Sequence, residues 1–246
     1  MCSTPSNMEG YIREFEKVGI DTIHFDIMDG HYVPNVMLGV RDYQAIKRMT
    51  DIPVDIHMMC TAPDAFIDIF KPQPGDWVSI HPETCYHPYR TLQHIRELGC
   101  KAGIAIAPGY PVEVVREMIS VLDFVLVMAV NPGFAGQKMV PDHLDKLARI
   151  KAIVEEYGKD IDIIIDGNTN VENARKMVAA GATGLVVGTS SMMKHGPEGL
   201  AEGYRNYVKA LPEDCFLRRN AYERSCSCDP WPAGPGTDQQ RRHAGW

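Results

Sequence analysis

The stretch TIHFDIMDGHYVPN, residues 22–35, sets Ile23, Phe25 and Ile27 against His24, Asp26 and Met28. Side chains two apart on a strand share a face, so an imidazole and a carboxylate point the same way beside a thioether. His57 in VDIHMM and Asp166 in IDIIID are placed alike, each at the end of a β-branched run. Two imidazoles and two carboxylates make a nitrogen and oxygen donor set for one divalent cation. Zinc fits it most simply, and iron, manganese or cobalt would suit it too. A lone histidine of this kind is more often a hydrogen-bonded residue at the edge of a core. Four such residues at equivalent ends of three strands reverse that preference, provided the sheet curls enough to bring the ends together. His81, in SIHPET, ends a fourth strand and reads equally as a neighbour of this set or as a structural residue. Asp29 reads as a turn former. Asp55 shares the face of His57 one pleat deeper, a buried acid with no partner evident in the sequence.

The elements that must position these residues alternate. Short β-branched runs fall at 22–27, 54–59, 77–81, 102–107, 124–130, 161–166 and 184–188, and segments with apolar residues at helical spacing lie between them. Repeated β-α units of about 30 residues predict a parallel sheet, and a chain of this length is the size at which a (β/α)8 barrel closes. An open doubly wound sheet is the competing architecture. Seven strand runs are found rather than eight, and a helical segment over 7–19 precedes the first. The expectation is therefore a TIM barrel over residues 1–210 that lacks its first strand. Residues 211–246, rich in Pro, Gly, Arg and Cys and without either periodicity, are expected to be an irregular, disordered tail. Its arginine pairs and CSC triplet lack a scaffold that would make them a binding patch or metal site.

Composition narrows the classes of partner. The 246 residues are 45% hydrophobic and 23% charged, with a formal net charge of −7. An acidic whole of this kind argues against nucleic acid or an anionic membrane as partner, and an anionic substrate would need a local positive device. No apolar run approaches the length of a membrane span, and the first residues, MCSTPSNMEG, do not resemble a signal peptide, so cytoplasm is the expected compartment. Seven cysteines without CxxC spacing read as reduced and structural. The local positive device is expected in two glycine turns after the last two strands, DGNTN and VVGTSS, because backbone N–H groups at such turns bind phosphate. The loop NPGFAGQ, with Gly133, Phe134, Ala135 and Gly136, stands beside the same mouth and reads as a lid or as a plain turn.

Taken together, HFDIMDGHYVPN, DIHMM, SIHPE, VMAVNPGFAGQK, IIIDGN and VVGTS resemble the ribulose-phosphate 3-epimerase family and its close relative D-allulose-6-phosphate 3-epimerase. The motifs run in the family's order from about residue 8 to 208. The resemblance implies a (β/α)8 barrel that inverts C3 of a 2-ketose phosphate. It implies His24, Asp26, His57 and Asp166 as metal ligands, with Asp26 and Asp166 also moving the proton. It further implies Met28, Met59 and Met128 near the reacting carbons, and the backbones of Gly167, Asn168, Gly188 and Thr189 around the phosphate. His57 and the 133–136 loop are also expected to touch substrate. Two features depart from the family: its usual serine-containing first strand is not found ahead of MCSTPSN, and DGNTN replaces the common DGG. DGNTN and HPET lean toward the hexulose-phosphate branch.

The leading expectation is metal-dependent epimerisation of D-ribulose 5-phosphate to D-xylulose 5-phosphate through an enediolate. The same reaction on D-allulose 6-phosphate is the first alternative, and a catalytically impaired barrel that only binds phosphate sugars is the second. A metal-free decarboxylase would need a strand-end lysine, which none of the runs supplies. The expected partner is a small sugar phosphate, with self-association into a homo-oligomer left open.

Overall fold

A computed structural model describes residues 2–212. The expected tail therefore lies, from residue 213 onward, outside the described residues. Among the described residues eight strands and eight α-helices follow in the order α1 Met8–Val18, β1 Ile23–Asp29, β2 Val36–Met37, α2 Val40–Met49, β3 Val54–Met59, α3 Pro63–Phe70, β4 Trp77–Ile80, α4 Pro88–Glu97, β5 Lys101–Ile106, α5 Glu113–Met118, β6 Phe124–Met128, α6 His143–Tyr157, β7 Asp162–Asp166, α7 Val171–Ala179, β8 Gly184–Leu185 and α8 Leu200–Ala210. The sheet order is β2-β1-β3-β4-β5-β6-β7-β8. Strands β1 and β3 to β8 are parallel, and the two-residue β2 folds back antiparallel on β1. The parallel strands thus number seven, the count read from the sequence, and β2 belongs to the loop that follows β1.

Alternation along each strand separates two cores. Phe25 and Ile27, Ile56 and Met58, Val78 and Ile80, Val125 and Val127, and Ile163 and Ile165 pack outward against the helices. The other face carries Ala105, Phe124, Leu126 and Met128, with Trp77, Ile164 and Val186 against them, and forms a plug inside the sheet. This layering is what a curled parallel sheet requires, because each strand is then covered on both faces. Gly103 is part of the device: a Cβ there would lie 2.4 Å from the ring of Phe124, so the missing side chain admits the aromatic ring to the interior. Trp77 fills the space beside it, ring centroids 5.0 Å apart. No helix among the described residues is long and apolar enough to cross a membrane.

Candidate metal centre

Register places the site. In the β1–β3 ladder His24 stands opposite Asp55, Asp26 opposite His57 and Met28 opposite Met59. Asp166 closes β7 opposite Met128 of β6. Strands β3, β4, β5 and β6 separate β1 from β7 in the sheet, yet His24 Nε2 lies 3.8 Å from Asp166 Oδ2, and so does His57 Nδ1. Only a sheet curled on itself brings those strands together. His24, Asp26, His57 and Asp166 each offer one donor atom, all within 4.8 Å of one another.

The donor set fits a divalent cation on an observation of its own. His24 Nε2 is buried without a hydrogen-bond partner, aimed at Asp26 Oδ1 from 3.3 Å, while His24 Nδ1 bonds Asp55 Oδ2 at 2.7 Å. An imidazole tied to a carboxylate through one nitrogen, with the other lacking a hydrogen-bond partner and turned toward further ligand atoms, has the arrangement of a metal-binding histidine and its supporting acid. Asp55 thereby finds the partner that the sequence did not disclose. His57, fully buried, turns Nδ1 toward Asp26 Oδ1 at 3.3 Å and bonds His81 through Nε2 at 3.0 Å.

Charge is distributed unevenly over the cluster. Burial disfavours the carboxylate of Asp26, but the neighbouring His24 and His57 overcome it and hold its pKa well below the usual range. Burial dominates at Asp166, reinforced by the negative charge of Asp26, and raises its pKa. His24 is opposed by burial and supported by Asp55 and Asp26, with a net pKa well above that of a free imidazole. In the metal-free protein, one carboxylate is thus held ionised and its neighbour is pushed toward the acid form.

A second row of polar side chains stands behind the donors. His81 bonds Tyr32 Oη through Nδ1 at 3.0 Å, and the Tyr32 hydroxyl donates to Glu83 Oε1 at 2.8 Å. Asp29 is more than a turn former. It accepts from the backbone N–H groups of His31, Tyr32 and Thr61 and from the Thr61 hydroxyl, at 2.7 to 3.0 Å, and so ties the loop after β1 to the loop after β3. Four backbone and hydroxyl donors overcome its partial burial and hold its pKa at about 2. Tyr32 and Glu83 gave no signal in the sequence, since each stands in a loop without periodicity. Asp55 did carry a signal: it shares the inward face of β3 with His57.

The remaining expected residues are placed as follows. Met28 and Met59 pack together with Val33, and Met128 belongs to the interior plug. In the 131–137 loop, Gly133 O accepts from Asn35 Nδ2 at 2.9 Å, Gln137 Nε2 donates to the carbonyls of Asn131 and Phe134, and the Phe134 side chain is exposed. Ala135 and Gly136 complete that loop, Gly136 with φ of 79°. At the end of β7, Gly167 has φ of 111°, and a Cβ there would meet Val130 at 2.6 Å, so only glycine fits. Asn168 follows with φ of 52°, its carbonyl and side-chain oxygens both accepting from Asn173 Nδ2. Buried Thr169, which the sequence did not single out, donates to Val186 O at 2.6 Å and links this turn to the backbone leading to Gly188 and Thr189. The Gly188 N–H is taken by Ser191 Oγ at 3.0 Å.

Comparison with known proteins gives the family and the fold. The Ribulose-phosphate 3 epimerase family matches residues 1–192. The chain is similar to the ribulose-phosphate 3-epimerase of Bacillus subtilis (strain 168), 43% identical over 180 residues, covering 73% of this chain and 83% of the relative. It is also similar to those of Methanocaldococcus jannaschii, 36% identical over 210 residues with 85% and 88% covered, and Escherichia coli (strain K12), 38% over 173 residues with 70% and 77% covered. Among solved structures, the thiamine phosphate pyrophosphorylase of Pyrococcus furiosus matches with a TM-score of 0.53 at 19% identity, covering 83% of this chain and 91% of that one. A mutant tryptophan synthase alpha-subunit from the same organism matches with 0.61 at 14%, covering 83% and 92%. At such identities these two show a shared fold alone.

Proposed function

This chain belongs to the ribulose-phosphate 3 epimerase family, and on that premise we propose that it interconverts D-ribulose 5-phosphate and D-xylulose 5-phosphate with one divalent metal ion. The observation that carries the reading is the convergence of two carboxylates from different strands, Asp26 of β1 and Asp166 of β7, with two imidazoles in one buried cluster. His24, Asp26, His57 and Asp166 would hold the ion, zinc most simply, with iron, manganese or cobalt also suited to these donors. When bound, the ion supplies a Lewis acid that polarises the C2 ketone and lowers the acidity barrier at C3.

Inversion at C3 requires a proton to leave one face and another to arrive on the opposite face. Asp26, held ionised, takes the C3 proton; the C3–H pair becomes the C2–C3 double bond, and negative charge passes to the C2 oxygen. Asp166, pushed toward the acid form, delivers its proton to the other face of C3, and the C2 carbonyl reforms. The two carboxyls end with exchanged protonation states, which is the starting arrangement for the reverse reaction. Met28, Met59 and Met128 give the reacting carbons an apolar, water-poor setting. Gly167, Asn168, Gly188 and Thr189 would surround the phosphate, which must displace Ser191 Oγ to reach the Gly188 N–H, and the Gly133–Gly136 loop would cover the mouth. Holding the phosphate by backbone groups reconciles an anionic substrate with a net charge of −7.

DGNTN in place of the common DGG favours a second reading, the same reaction on D-allulose 6-phosphate, and the assay should offer both sugars. Chelation is expected to abolish turnover of the preferred sugar, and added zinc, cobalt, iron or manganese to restore part of it. Full turnover in a chelated sample shown by elemental analysis to be metal-free would remove the metal from the mechanism. Phosphate-sugar binding without turnover in metal-loaded protein would leave only the impaired barrel.

A further inference from the structure

The turns after β7 and β8 are each shaped locally, and the side chain of Thr169 joins one to the other. In the first turn Asn173 Nδ2 donates to Asn168 O at 3.0 Å and to Asn168 Oδ1 at 2.6 Å, while Asn170 Oδ1 caps α7 by accepting from the Asn173 N–H at 3.0 Å. In the second, the Gly188 N–H donates to Ser191 Oγ, and the N–H groups of Ser191 and Met193 donate to Gly188 O. These bonds give each turn its form but leave the spacing between them to other contacts. Backbone pairing contributes little to that spacing. β8 ends the sheet order and pairs with β7 alone, through Ile164–Gly184 and Ile165–Leu185. The Val186 N–H adds a bond to Ile165 O at 2.8 Å, and the Thr169 hydroxyl then donates to Val186 O at 2.6 Å. The hydroxyl thus carries the pairing one step past the ladder, two residues before Gly188. Thr169 is itself held in place: it is 1% exposed, and the buried Tyr207 of α8 donates its hydroxyl to Thr169 O at 2.8 Å.

We propose that Thr169 is a positioning residue for the substrate's phosphate: its hydroxyl sets the spacing between the Gly167–Asn168 and Gly188–Thr189 backbones, and Tyr207 braces it from α8. The inference rests on the reading of those two turns as the phosphate site. Backbone donors bind an anion well only when they converge on it, so a turn that drifts by a fraction of an ångström loses part of its hold. The turn after β8 is the one free to drift, since Gly167 and Asn168 are held by β7 on one side and by Asn173 on the other. The groups assigned to C3, Asp26 and Asp166, belong to β1 and β7 and keep their places when β8 shifts. Loss of the hydroxyl therefore weakens a contact made alike by bound substrate and transition state, which raises KM and leaves kcat. Serine in place of Thr169 keeps the donor; valine keeps the shape and removes it.

The test measures two quantities in full-length protein: turnover of D-ribulose 5-phosphate with zinc loaded, and binding of inorganic phosphate, followed by phosphorus NMR without added metal so that no ion competes for it. Thr169→Val should raise KM by roughly three- to tenfold, the equivalent of one lost hydrogen bond, and weaken phosphate binding by a similar factor. Its kcat should stay within about twofold of wild type, and Thr169→Ser should restore KM and phosphate affinity together. Tyr207→Phe should move both in the same direction by a smaller factor, and it carries the test if Thr169→Val does not fold. Wild-type KM and phosphate affinity in a folded Thr169→Val protein overturn the proposal, as does a fall in kcat at unchanged KM, or a serine variant as impaired as the valine one. Phosphate binding that weakens in Thr169→Val, in a protein whose wild type turns over neither sugar, would support the inference and remove the epimerase reading. Turnover by wild-type protein that inorganic phosphate neither binds nor inhibits would do the reverse.

Discussion

At the scale of single residues, the site is a set of groups whose protonation is decided by their neighbours. Asp26 and Asp166 belong to the same donor cluster and both are buried, yet their pKa values move in opposite directions, as a two-base inversion requires. Asp26→Asn and Asp166→Asn should each lower turnover at least about a hundredfold, the scale for removing a positioned acid or base, and each should weaken metal binding. A variant keeping more than a tenth of the wild-type rate would exclude that residue as an essential proton carrier. The raised pKa of His24 has a separate consequence. Metal binding at Nε2 must displace a proton that the free protein holds to well above pH 6.5, so the proton competes throughout the range below that pKa. Zinc dissociation constants measured from pH 7 down to 6 should rise by about tenfold per unit, and a flat profile would mean that His24 is not a ligand.

Elements place these groups, and much of that was legible in sequence because strand periodicity is strict. All seven parallel runs were found to within a few residues, and His24, Asp26, His57 and Asp166, which the structure brings into one cluster, were visible as polar residues at strand ends. The pairing of His24 with Asp55 was not visible, since it depends on the β1–β3 register, which joins residues 31 apart. Tyr32 and Glu83 were hidden for a similar reason: their partners are set by how two loops meet. Asp76 is a further example at the other end of the strands. Fully buried, it accepts from Tyr43 Oη at 2.6 Å, Lys47 Nζ at 2.9 Å and the backbone N–H groups of Val54 and Gln73, joining α2, β3 and the start of β4. Asp76→Ala would strand the largely buried Lys47 ammonium and should cost about 3–5 kcal/mol, the scale for breaking a buried pair. For a domain of this size, that corresponds to a fall in Tm on the order of 10 °C. A change below a couple of degrees in a thermal melt would show that the helix and strands hold their register without it.

For the whole molecule, the decisive feature is curvature. A flat parallel sheet would keep Asp166 of β7 four intervening strands away from β1, whereas here it lies 3.8 Å from both His24 and His57. The candidate site therefore depends on the curl of the sheet and not on any one motif, and the family match over residues 1–192 spans every strand that contributes to it. The most direct test of the account is proton NMR of D-ribulose 5-phosphate in deuterated water with zinc-loaded protein, observing the C3 proton. Loss of the C3 signal with appearance of the xylulose epimer, both abolished in Asp26→Asn and in Asp166→Asn, is the predicted result. Xylulose 5-phosphate formed with C3 still fully protonated, or a C3 proton that never exchanges in metal-loaded protein, would contradict it.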